Sequence, residues 1–182
     1  MILFLVLSAL TGCISYNSLE KAIQSKWKYP IKILYADENK RTVIFLDQSK
    51  DKDPDRDQYI FNTFKMKNSQ YRYSTDREEC WTFTADNGLT PFLCRSVNTE
   101  EAGNVIWGAI KTDKHVQKVL VTYADRSNPD NQIEVEIPVV NNVFIGYPKD
   151  NFFNSETSLY REWKIKASAI DDKGNIIATS GN

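Results

Sequence analysis

The 182-residue chain carries 23 Lys and Arg against 24 Asp and Glu, a formal net charge of −1, with 41% hydrophobic and 26% charged residues. These proportions fit a folded globular protein of one domain or two small ones, and exclude collagenous, coiled-coil and wholly disordered chains. No basic excess supplies the electrostatic footprint of a nucleic-acid binder, and one His with three Cys leaves little material for zinc sites or His-dependent nucleophilic catalysis.

In chain order, residues 1–12 form an uncharged, mostly apolar run, and the first charge is Glu20. A run this short cannot cross a bilayer as a helix, which takes about 20 residues. It has the length of the apolar region of a secretory signal. It ends in Leu10-Thr11-Gly12-Cys13, which resembles the lipobox of bacterial lipoproteins: an aliphatic residue, a small or hydroxyl residue, Gly or Ala, then Cys. The resemblance implies cleavage before Cys13 and a diacylglyceryl group on its sulfur, two acyl chains being enough for stable anchoring. The expected organisation is therefore a signal peptide over 1–12 and a tether over 13–17. Cys13 is the expected lipidation site, the membrane the expected partner, and the outer face of the bacterial cytoplasmic membrane the expected location.

Residues 18–27 predict one short amphipathic helix. Ser18 can cap it, Glu20 and Lys26 suit its two ends, and Leu19, Ile23 and Trp27 form one apolar stripe. After Pro30 the period changes to two. Runs at 31–35 and 42–46 read as a β-hairpin, followed by a charged stretch at 47–57 and strands at 59–65 and 70–74. Tyr71 and Tyr73 fall on one face of the last of these, a candidate binding surface for sugar or peptide.

Two alternating runs, from Cys80 to Ala85 and from Leu89 to Cys94, flank Asp86-Asn87-Gly88, a three-residue loop ending in Gly. The hairpin register that follows sets Cys80 opposite Cys94 and predicts a disulfide, in keeping with an exported protein. Pro91 marks the second run as an edge strand. The polar segment 98–104 is the expected boundary between an N-terminal β-rich domain over 18–100 and a C-terminal β-sandwich domain over 101–182. One continuous sandwich is the other arrangement the pattern allows.

Beyond it, strands are expected at 105–110, 116–123, 133–137, 142–147, 163–169 and 175–179. Their spacing predicts an antiparallel sandwich or barrel, and no helical pattern lies between them to support a parallel βαβ fold. This half also resembles the C-terminal regions of uncharacterised surface lipoproteins of low-GC Gram-positive bacteria. The shared features are an initial Trp-Gly strand, a Val-x-Val-x-Tyr-like strand, an aromatic-Ile-Gly strand, and an ending such as Ala169-Ile170-Asp171-Asp172-Lys173-Gly174-Asn175. That resemblance implies an immunoglobulin-like sandwich and no particular activity. The expected class is thus mainly β and antiparallel, with a smaller β-rich N-terminal part bearing one short helix.

Chemistry-bearing constellations are few. Asp51, Asp53, Asp55 and Asp57 alternate as calcium ligands can, but Lys52 and Arg56 interleave and no sharp-turn Gly follows. His115 stands alone between Lys114 and a strand start, with no Gly-x-Ser-x-Gly or His-Glu-x-x-His motif in the chain. Glu78-Glu79 and Asp171-Asp172 point to opposite faces in extended chain, unlike a glycosidase pair. No catalytic residue, metal ligand or cofactor is assigned. The expected function is a non-enzymatic binding or structural role in the cell envelope, with an unidentified envelope protein or cell-wall component as partner and no nucleic acid. An envelope hydrolase or a small-ligand-binding lipoprotein is the alternative.

Overall fold

The computed structural model describes residues 14–49, 57–83, 90–125, 128–148 and 163–181. Cys13 with the apolar run before it, residues 51–56 of the acidic stretch, and the Asp86-Asn87-Gly88 turn lie outside them.

The fold is mainly β and antiparallel, with one short helix among the described residues. Helix α1 (Leu19–Gln24) starts at Ser18, whose hydroxyl accepts the Lys21 N–H at 3.3 Å. It stops short of Trp27 because Gln24 folds back on the exit. The Gln24 side-chain amide donates to the carbonyls of Trp27 and Tyr29, both at 2.9 Å, and its oxygen accepts from Ile31 N.

Strands β1 (Ile31–Asp37), β2 (Thr42–Asp47), β3 (Gln58–Lys67) and β4 (Gln70–Tyr73) follow one another across a five-stranded sheet. Strand β5 (Glu79–Thr82) completes it by pairing with the first half of β3, on the edge that β4 occupies further along. In β1 a bulge at Leu34 breaks the alternation, so that Leu34 and Tyr35 both pack on the same cluster. Strands β6 (Phe92–Thr99), β7 (Gly103–Ile110) and β10 (Val143–Gly146) form a three-stranded sheet with β7 in the middle. Strands β8 (Lys118–Asp125), β9 (Asn128–Pro138), β11 (Trp163–Ile170) and β12 (Ile176–Ser180) form a four-stranded sheet in the order β12-β11-β8-β9.

Three apolar clusters hold these layers together. One joins α1 to the outer face of the five-stranded sheet, through Leu19, Ala22 and Ile23 against Val43, Phe45, Ile60 and Phe64. A second fills the space between the five- and three-stranded sheets, where Phe61 stacks on Trp107 with centroids 5.5 Å apart. A third packs Ile106, Ile110 and Phe144 of the three-stranded sheet on Val119, Val121, Tyr123 and Ala169 of the four-stranded one. The three-stranded sheet is therefore buried on both faces. That is why β7 and β10 read as continuous apolar runs and not as alternating ones.

Two expectations need correction. The Cys80–Cys94 hairpin does not form. Cys80 sits in β5 opposite Ile60 of β3, and Cys94 sits in β6 opposite Gly108 of β7, so the two belong to different sheets and no disulfide joins them. The two strands also differ in extent from the expected runs, β5 ending at Thr82 and β6 running from Phe92 to Thr99. Trp81 and Leu93 enter the same cluster from facing sheets, and the guanidinium of Arg95 lies 4.6 Å from the Trp81 ring centroid. The segment 98–104 is also no linker. Asn98 pairs with Asn104 and Thr99 with Gly103 across a tight β6–β7 turn, where Gly103 takes φ +70°. The seven-stranded sandwich thus begins at Phe92, before the expected boundary, and the cluster around Trp107 draws residues from both sides of it.

Candidate functional site: a polar cleft beside the N-terminal segment

The N-terminal segment is not a loose tether once it leaves Cys13. Tyr16 forms an antiparallel bridge with Tyr71 on the free edge of β4, with N–H to O distances of 2.9 and 2.7 Å. Ser15 Oγ lies 3.4 Å from Gln70 Oε1. Ile14, 73% exposed, lines the mouth of a cleft of about 860 Å³, within the size range of small-ligand sites.

The cleft is lined from the α1 side by Phe64, Tyr73 and Lys26, and from the other face of the sheet at a step beside the three-stranded sheet. β3 and β4 run on past the β6–β7 turn, and the side chains that would meet the three-stranded sheet further along become polar. On that face of β3, Phe61 is in the apolar cluster, Thr63 follows it, and Lys65 is exposed. Arg72 of β4 stands directly opposite Lys65 in the ladder. The β6–β7 turn contributes Glu100 and Glu101, the link between β4 and β5 contributes Ser74, Asp76 and Arg77, and Lys26 comes from the segment after α1.

The acidic groups are tied into the fold. Glu101 accepts the Thr63 hydroxyl at 2.8 Å. Glu100 lies 3.6 Å from the Arg77 guanidinium, and Asp76 accepts from Ser74 Oγ at 2.6 Å. Asn62, only 3% exposed, donates to Ser74 O at 2.7 Å and accepts Thr63 N at the same distance. It thereby holds the chain where β4 gives way to the link. Among the described residues, Lys65 and Arg72 form no ion pair with a carboxylate.

The two tyrosines singled out from sequence are placed otherwise. Tyr73 is 6% exposed and packs edge-on to Phe45. Its hydroxyl donates to Glu78 at 2.5 Å, a carboxylate that also accepts the Trp27 indole N–H at 2.9 Å. Burial first, and then the Glu78 hydrogen bond, push the Tyr73 phenol well above its ordinary pKa. Tyr71 packs on Phe64, and its hydroxyl donates to Glu38. Both rings thus face α1 and the N-terminal segment, and the exposed residue of the Tyr71-Arg72-Tyr73 triplet is the arginine.

His115 is exposed on the link before β8. Glu78 is engaged as above. Asp171 shapes the β11–β12 turn by accepting from Asn175 and Lys173 N–H groups, and the Asn175 hydrogen bonds hold its carboxyl below the usual range. Among the described residues, no three His, Cys, Asp or Glu side chains converge as metal ligands would. No helix among them is long and apolar enough to cross a membrane. Sequence reasoning missed the cleft because its members lie 14 to 101 residues along the chain; the available signal was the cationic Lys65 and Arg72 on strands otherwise rich in aromatics.

No protein-family model, no curated protein and no solved structure matches this chain.

Proposed function

We propose that this chain is an extracytoplasmic bacterial lipoprotein, held on the outer face of the cytoplasmic membrane through Cys13, with a binding role in the cell envelope. The observation that carries the reading is Leu10-Thr11-Gly12-Cys13 at the end of an uncharged apolar run. Two acyl chains on Cys13 would give stable attachment. The polar cleft beside Ile14 favours a small ligand or headgroup over a flat protein–protein contact, since polar groups from four segments converge on one concavity.

Metabolic labelling with a radioactive fatty acid tests the anchor. Label is expected on the wild-type chain and lost on Cys13→Ala. Equal labelling of both would refute it.

A further inference from the structure

We propose that the cleft takes the phosphate of an anionic membrane-lipid headgroup, with Lys65 and Arg72 as its ligands. The proposal rests on the lipoprotein reading for the source of the phosphate.

Lys65 and Arg72 are directly cross-strand partners, both exposed. Like charges so placed repel and weaken a ladder. Among the described residues no carboxylate pairs with either, although three carboxylates line the same cleft. Those three contact Thr63, Arg77 and Ser74 instead and keep their charge, and the cleft still has more cations, Lys26, Lys65, Arg72 and Arg77, than carboxylates, Asp76, Glu100 and Glu101. An anion between Lys65 and Arg72 would turn the repulsion into attraction. A phosphate suits both, accepting from the forked guanidinium and from the ammonium.

Position selects the source. Ile14 lines the cleft and directly follows Cys13 in the chain, so a lipid on Cys13 is attached next to a residue of the cleft. The Tyr16–Tyr71 bridge fastens that segment to β4, the strand that carries Arg72.

The test uses the full chain carrying Cys13→Ser and measures partitioning into phosphatidylglycerol and phosphatidylcholine vesicles. The apolar run contributes alike to both, so the ratio of partition coefficients isolates the headgroup effect. A ratio well above one is expected, falling roughly 25-fold in Lys65→Gln/Arg72→Gln, at about fivefold per cation. The charge-matched Lys166→Gln/Lys173→Gln, on the four-stranded sheet and its turn, should leave it unchanged. Lys65→Glu places opposite charges across the ladder; it should raise Tm while abolishing the preference, which a merely structural pair would not do. A ratio near one, or equal loss in both double variants, overturns the proposal. Displacement from phosphatidylglycerol by inorganic phosphate at matched ionic strength would assign the site to soluble phosphate and overturn the lipid source. Absent acyl label with the ratio intact refutes only the anchor; label present with a ratio of one refutes only the cleft.

Discussion

At the scale of single residues, the central sheet leaves least room at Gly108. A Cβ built there would lie 2.1 Å from the Leu93 carbonyl oxygen and 2.3 Å from the Phe144 ring. The ring could rotate, but the carbonyl belongs to the β6–β7 ladder and can yield only by moving a strand. Gly108→Ala is expected to cost about 2 kcal/mol, as overpacking of a filled core does. It should appear as a lower urea midpoint with unchanged m-value; an unaltered midpoint would contradict the packing described. The two cysteines differ as sharply. Cys94 points into the cluster between the three- and four-stranded sheets, where burial pushes its thiol up to about 12. Cys80 is exposed on β5. Because the thiolate is the reacting form, iodoacetamide at neutral pH should modify Cys80 in the native protein and Cys94 only in denaturant. Peptide mass spectrometry after timed quenching checks this, and equal native rates would refute it.

At the scale of elements, a helix of six residues cannot stand by itself; its apolar face docks on the sheet, and one carboxylate ties its exit down. Glu78 accepts from Trp27 just beyond α1 and from Tyr73 at the end of β4. Glu78→Ala would leave the buried Tyr73 hydroxyl without that acceptor and should cost about 2–3 kcal/mol. Glu78→Gln keeps an acceptor and should cost less, so denaturation of the pair separates the hydrogen bonds from the packing. The same contact shows how far sequence could see. Apolar patterning located most strands, alternating or continuous, because it depends only on neighbours along the chain, but it misplaced the extents of β5 and β6. The helix stripe was visible too, and its early end was not, because Gln24 stops it with bonds to Trp27, Tyr29 and Ile31. Partner choice was hidden for a different reason. Cys80-Trp81 and Leu93-Cys94 present the same alternation whether they pair with each other or with β3 and β7. Only the long-range ladders distinguish them: β5 pairs with β3 and β6 with β7. The cleft was invisible in the same way. Lys65 and Arg72 become a pair only through the β3–β4 register, and Glu101 joins them only through the β6–β7 turn.

At the scale of the whole molecule, the layers are sealed by acids that the fold keeps protonated. Tyr59, packed on Phe83 between the five- and three-stranded sheets, is pushed up to about 12 by burial and then by Asp57. Burial likewise raises Tyr123 between the three- and four-stranded sheets, with a further push from Cys94. Tyr147 reaches from the end of β10 to Thr42 at 2.7 Å and Asp37 at 3.2 Å, and burial is the first cause of its raised value too. With Cys94, these groups stay neutral in the folded chain and ionise at ordinary values in the unfolded one. Each folded pKa is raised, so each contribution is fully present below the unfolded pKa, near 8.5 for Cys and 10 for Tyr, and is lost as pH rises toward the folded value. Above that onset the native state binds more protons than the unfolded state, and stability falls with a slope of about 1.4 kcal/mol per pH unit for each proton of difference. Stability should therefore show no loss from these groups up to about pH 8, and should fall with increasing steepness from about pH 9 to 12. Urea titrations across that range give the slope directly, and the slope counts the protons released. Tyr147→Phe removes one such group and should flatten the fall by about one proton, though it loses the Thr42 contact at neutral pH. A slope that never reaches one proton below pH 12 would mean that these phenols and the thiol are solvated, and that the sheets are not packed as described.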